Sequence, residues 1–151
     1  MTANYTITRV GGTRDKLGEG PLWDVAEQAL YWLDSRGPTI HRLDPKTGER
    51  RDWQVPSTVG SMCLREKGGA VLALEDGFHF FDFATGKVEL IVDPEPDRPG
   101  NRLNDGKVDR QGRFLAGSMA TKITGEAQGT LYRLNPDLSL DTLMGDIIVT
   151  N

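Results

Sequence analysis

Apolar residues in this chain come in short bursts, and the gaps between them are rich in Gly, Pro, Asp, Asn and Thr. No stretch repeats its apolar positions at helical spacing, so strands are predicted throughout. The most apolar bursts cover residues 29–33 (Ala-Leu-Tyr-Trp-Leu), 70–74 (Ala-Val-Leu-Ala-Leu) and 114–117 (Phe-Leu-Ala-Gly). Each leads into a second burst, at 40–43, 78–81 and 131–134, and then into a turn headed by Asp or Asn. The first two turns, Asp44-Pro45-Lys46-Thr47-Gly48-Glu49 and Asp82-Phe83-Ala84-Thr85-Gly86-Lys87, echo one another; Asn135-Pro136-Asp137-Leu138-Ser139 is a weaker third copy. Such residues set turns through fixed φ, tolerated positive φ and side-chain bonds to the backbone.

A strand–turn–strand unit recurring about every 40 residues is the pattern of propeller blades, each a sheet of four antiparallel strands. The predicted fold is therefore all-β, a single partial propeller over 1–151 with blades near 15–56, 57–98 and 99–146. Residues 147–151 are expected to begin a further blade. The third unit is longer because 120–129 inserts a polar loop, and such insertions fall on one face, often the binding face. Three blades do not close a ring, since a propeller removes its open edges only by completing the circle. The expectation is a fragment, with a second copy meeting the first as the other possibility. The alternation Tyr5-Thr6-Ile7-Thr8-Arg9-Val10 predicts an edge strand that waits for a last blade.

Composition changes this picture little. The 18 glycines in 151 residues are spread along the chain, as many tight turns require. A net charge of −4 with no basic run lacks the footprint of nucleic-acid binding. No apolar stretch approaches the roughly 18 residues needed to cross a bilayer, and residues 1–6 lack a cationic leader pattern. One cysteine, Cys63, rules out an intramolecular disulfide framework and reads as a buried thiol between Met62 and Leu64. The expectation is a soluble, cytoplasmic protein with no membrane partner.

Candidate chemistry gathers at two places. In Leu17-Gly18-Glu19-Gly20-Pro21-Leu22-Trp23 one carboxylate stands between glycines at the head of what would be an innermost strand. A buried Glu19 would need a partner, and a divalent cation is a suitable one. In Arg102-Leu103-Asn104-Asp105-Gly106-Lys107-Val108-Asp109, strand alternation puts Arg102 and Asn104 on one face. A guanidinium fork and an amide suit the hydroxyls and carbonyl of a small polar substrate. Asp105 and Asp109 read as turn holders. His41 and His79 occupy equivalent places in two units, which marks a blade position. Trp23, Trp32 and Trp53 are expected to fill the space between sheets. Ser57, Ser61 and Ser118 lack a Gly-x-Ser-x-Gly elbow, and no Walker-type or dinucleotide glycine motif occurs.

These two segments, together with Ile147-Ile148-Val149-Thr150-Asn151, resemble the senescence-marker-protein/gluconolactonase/regucalcin-like family of six-bladed lactone hydrolases. The resemblance implies about three of six blades. It implies metal ligands at Glu19 and Asn151, substrate contacts from Arg102 and Asn104, and a catalytic aspartate base from a later blade, beyond Asn151. Hard oxygen ligands imply Ca²⁺ first, with Mg²⁺, Mn²⁺ or Zn²⁺ open. The implied activity is metal-dependent hydrolysis of a sugar-acid lactone, the ring being closed by the missing half or by a second copy. A propeller that only binds calcium or another protein is the rival reading, because fold alone does not decide function.

Overall fold

The computed structural model describes residues 5–10, 12–122 and 124–151. Among them lie twelve strands and no helix. Strands β1 (Gly18–Asp24), β2 (Ala29–Asp34), β3 (Thr39–Leu43) and β4 (Arg50–Gln54) form the first sheet. β5 (Val59–Leu64), β6 (Ala70–Leu74), β7 (Gly77–Phe81) and β8 (Val88–Val92) form the second. β9 (Asn101–Val108), β10 (Phe114–Ala120), β11 (Gly129–Leu134) and β12 (Leu140–Ile147) form the third. Every sheet is an antiparallel meander in which each strand pairs with its neighbours in sequence.

The repeated turns are built alike. Asp44 accepts the N–H groups of Lys46 and Thr47, at 2.8 and 3.3 Å, and Asp82 accepts those of Ala84 and Thr85, at 2.7 and 3.0 Å. Gly48 and Gly86 close them at φ 77° and 73°; in the third copy Leu138 takes φ 68° at the corresponding corner. His41 and His79 are each the third residue of their strand, both buried and both beside an aspartate, Asp52 and Asp76 respectively.

Two apolar layers hold the sheets together. Tyr31, Leu33 and Ile40 of the first sheet pack on Val59, Leu72, Leu74 and Phe81 of the second. Val71, Ala73 and Phe78 on the other face of the second sheet pack on Phe114, Ala116 and Leu134 of the third. Sheets covered on both faces read as nearly continuous apolar runs, which explains why all five residues of β6 are buried. Cys63 lies in the second layer, and burial raises its thiol pKa to about 11, keeping it protonated. Trp53 alone of the three tryptophans sits between sheets. It packs with its ring tilted against Phe83 and donates Nε1–H to the Phe83 carbonyl at 3.0 Å. Trp32 instead lies on the far face of the first sheet against His41, and Trp23 is 46% exposed.

Residues 5–10 do not form the predicted strand. Tyr5, Ile7 and Val10 are exposed, and no strand among the described residues offers their backbone a ladder. Alternation marks a face, but a strand needs a partner as well.

The inner edges of the sheets are made by β1, β5 and β9, with β5 packed between the other two. Each carries the same irregularity. Glu19 lies opposite Leu33 and Leu22 opposite Tyr31; Val59 faces Leu74 and Met62 faces Leu72; Leu103 faces Ser118 and Gly106 faces Ala116. In all three cases three steps along the inner strand answer two along its neighbour, which is a β-bulge. The bulged pairs are Gly20-Pro21, Gly60-Ser61 and Asn104-Asp105. A bulge bends its strand and re-aims the side chains beside it, so the candidate residues Glu19, Arg102 and Asn104 all lie at or next to these bends.

The approach to Glu19 is fixed by Asp34. Its carboxylate accepts N–H groups from Lys16 at 3.0 Å, Leu17 at 3.1 Å and Gly37 at 2.8 Å. Burial by itself would raise this carboxyl, but the three backbone donors outweigh it and hold the pKa below the ordinary value of 3.8. Asp34→Asn turns an amide donor towards those donors and is expected to cost roughly 1–3 kcal/mol at neutral pH. Because the folded pKa is the lower one, this stabilisation is present above pH about 4 and fades as pH falls through the folded value. Urea midpoints of the two proteins should therefore differ at pH 7 and converge as pH falls through the folded pKa of Asp34.

Candidate functional site

The site is assembled around Arg102, which leaves β9 half-buried beside its first bend. One Nη1 contact goes to the side-chain oxygen of Asn104 at 2.8 Å and a second to the Leu103 carbonyl at 3.0 Å. Nη2 approaches Sδ of Met119, its partner across the β9–β10 ladder, at 3.3 Å. The Asn104 amide then donates to the Thr150 carbonyl at 2.7 Å. The expectation that Arg102 and Asn104 share a face holds as geometry, and they are joined directly.

Two further residues hold Asn104 from behind. Ser61 Oγ donates to its carbonyl at 2.8 Å. Gly60 lies so close that any Cβ there would collide with the Asn104 backbone. Gly117 does the same for Thr150, whose buried side chain occupies the space a Cβ at 117 would need. Asp109 accepts the N–H groups of Gln111 and Arg113 at 2.9 and 3.0 Å and holds the turn after β9 as expected, whereas Asp105 accepts the Gly106 N–H at 2.8 Å inside the β9 bulge and holds no turn.

Charge around Arg102 is mixed. Burial lowers its pKa and the nearby Arg36 guanidinium pushes the same way, while Glu75 and Glu19 oppose them. Glu19 thus belongs to the electrostatic surroundings of Arg102, although it shares no hydrogen bond with it among the described residues. Its side chain is exposed. Gly20 takes φ 55°, and the bend at Gly20-Pro21 leaves the carboxylate in solvent. Asn151 is exposed too, next to the Thr150 carbonyl that Asn104 grips.

Beside Arg102 opens a cleft of about 410 Å³. The connection between β8 and β9 walls one side, with Asp93, Glu95 and Arg98; Ser57 and Glu75 stand on the other. Thr121 and Gln128, the two ends of the inserted loop, are bonded to that wall. Thr121 donates to the Gly100 carbonyl at 2.8 Å, and Arg98 and Asn101 each donate to the Gln128 carbonyl at 3.1 Å. The inserted loop therefore lies at the Arg102 end of the sheet.

Among the described residues the Glu19 carboxylate and the Asn151 side chain take no part in the hydrogen bonds that join Arg102, Asn104 and Thr150. Among the described residues no three His, Cys, Asp or Glu side chains converge as a ligand set.

Four-stranded meanders stacked through apolar layers, with their inner strands side by side, are propeller blades, and the protein is of the β-propeller class. Within that class the chain belongs to the SMP-30/Gluconolactonase/LRE-like family, whose profile matches residues 17–151. It is 39% identical to regucalcin of Xenopus laevis over 83% of this chain and 43% of that protein. It is 35% identical to the 6-deoxy-6-sulfogluconolactonase of Pseudomonas putida over 98% of this chain and 50% of that one. Among solved structures, the calcium-binding protein regucalcin of Agrobacterium tumefaciens superposes with a TM-score of 0.82 at 29% identity, covering 89% of this chain and 45% of that one. The chain spans about half the length of the curated relatives it matches.

Proposed function

We propose that the intact protein hydrolyses lactones, sugar-acid lactones foremost, at the mouth where Glu19, Arg102 and Asn104 lie. The observation that carries this reading is the unspent donor capacity of the Arg102–Asn104 pair. A guanidinium has five N–H donors and an amide two. Arg102 commits three contacts and Asn104 one among the described residues, which leaves about three donors uncommitted beside the cleft that Arg102 lines. A half-buried fork of fixed donors suits a ring carbonyl flanked by hydroxyls, and it is held rigidly by Met119, Ser61 and Thr150. Relatives named as lactonases support the reaction class.

Glu19 and the Asn151 side-chain oxygen are the groups of this chain suited to hold a divalent cation, with Ca²⁺ favoured by the calcium-binding relative. When bound, such an ion polarises an ester carbonyl and lowers the pKa of its water. Arg102 and Asn104 orient the ring, and hydrolysis adds water across the acyl–oxygen bond to give the hydroxy acid. The aspartate base comes from a further blade of the intact protein.

The test is a pH-stat assay of the intact protein on a panel of aldonolactones, before and after treatment with EDTA. Turnover that EDTA abolishes and added Ca²⁺, Mg²⁺, Mn²⁺ or Zn²⁺ restores is the expected result. Calcium binding with no turnover of any lactone would move the protein to the binding-module class.

A further inference from the structure

Glu95 is a carboxylate in a proline-rich connection, between Pro94 and Pro96, yet its side chain is only 8% exposed. A charge withdrawn from water this far must be paired or hydrogen-bonded. Oε1 accepts Ser118 Oγ–H at 2.8 Å and Tyr132 O–H at 2.9 Å, from the two middle strands of the third sheet. Oε2 accepts Asn101 Nδ2–H at 2.8 Å. Arg98 lies at the periphery, 3.5 Å from Oε1. Ser118 also receives the Thr130 N–H at 2.9 Å, so the carboxylate is tied into the sheet backbone. The Tyr132 hydroxyl, desolvated and bonded to Glu95, has its pKa pushed up to about 12 and remains a donor.

The two oxygens serve different ends. Oε1 docks the connection onto β10 and β11, whereas Oε2 holds Asn101, the first residue of β9 and the neighbour of Arg102. Asn101 is held on its other side by the Gln128 carbonyl. The start of β9 is thus pinned between the cleft wall and the inserted loop, one residue before the guanidinium. We propose that Glu95 is a positioning residue of the substrate site: through Asn101 it fixes Arg102 and the wall of the cleft that the substrate enters. This rests on the lactonase reading of that site.

The experiment compares Glu95→Gln and Glu95→Ala in the intact protein. Gln keeps an oxygen for Ser118 and Tyr132 but turns an amide donor towards Asn101, a donor itself. Glu95→Gln is therefore expected to retain most of the thermal stability and still raise KM for an aldonolactone by about 10-fold or more, with kcat little changed. In an Arg102→Ala background the same substitution should change KM less than about twofold, because the two act as one unit. Backbone amide exchange at Arg102 and Leu103 should quicken by about 10-fold in Glu95→Gln, while Leu33 and Ile40 in the first sheet stay unchanged. An equal KM factor in both backgrounds, or unaltered exchange at Arg102 and Leu103, would overturn the assignment. If the parent protein turns over no lactone, the reading of the reaction fails separately, and the exchange measurement alone decides whether Glu95 fixes Arg102.

Discussion

Glu19→Gln is expected to lower kcat/KM for lactone hydrolysis by about three powers of ten while leaving the fold intact. The substitution removes a charge and almost no volume. Glu19 is exposed and has no hydrogen-bond or ion-pair partner among the described residues, so the folded protein loses no contact with it. Surface changes of this kind shift stability by roughly 0.5 kcal/mol or less. The rate effect has a different origin. If Glu19 is the charged ligand of a carbonyl-polarising cation, its loss forfeits several kcal/mol of transition-state stabilisation, and about 4 kcal/mol corresponds to about a thousandfold in rate. Initial rates across the substrate range, which give kcat/KM, and urea unfolding of the same samples check both halves. Near-parental turnover in the variant would remove Glu19 from the site.

The second large effect is expected at a residue with no side chain. Gly60→Ala places a methyl group against the Asn104 backbone, where neither β5 nor β9 can yield without breaking the Ser61 bond to the Asn104 carbonyl. Forced overpacking costs about 1–3 kcal/mol, and the upper end applies where the obstacle is backbone. A displacement of about 1 Å in Asn104 is enough to cost roughly 100-fold in rate. Gly48→Ala is the contrasting case. Gly48 has φ 77° but open space around it, so only the conformational penalty of about 1 kcal/mol applies, and activity should be kept. Urea midpoints and kcat/KM for both variants separate collision at the site from strain at a distant turn. Equal losses of activity in the two would show that Gly60 acts only through stability.

Much of this architecture was legible in the residues themselves. The turns at Asp44 and Asp82 share a spacing and a chemistry, and the bursts before them are strands in the predicted order. Arg102 and Asn104 could be placed on one face because alternation needs only local geometry. What escaped were features that depend on a neighbour. The bulges show only as glycines in or beside them, at 20, 60 and 106, residues that serve ordinary turns elsewhere in the chain. Gly60 owes its role to Asn104, 44 positions away by sequence number, and no local pattern encodes that approach. Glu95 sits in a polar stretch that resembles any exposed connection, and its burial follows from Ser118 and Tyr132, which belong to another sheet. At Glu19 the flanking glycines signalled a special backbone, and Gly20 does take φ 55° beside a bulge, but nothing local to them encodes the bulge register against Leu33 and Tyr31. Residues 5–10 carry a strand's alternation but have no ladder partner among the described residues.

The meander order of the sheets bears on how the chain is made. Every hydrogen-bonded strand pair joins neighbours in sequence, so no sheet must wait for a distant segment before it can form. A ribosome adding about 5–20 residues per second takes several seconds to deliver one 40-residue unit. A hairpin forms in about 1–10 µs. Each sheet can therefore be complete while the next is still inside the exit tunnel, and its exposed apolar face becomes the template on which the following sheet condenses. The newborn protein grows by accretion, one finished layer at a time, and the bond from Ser61 to Asn104 is the stitch that records the second layer receiving the third.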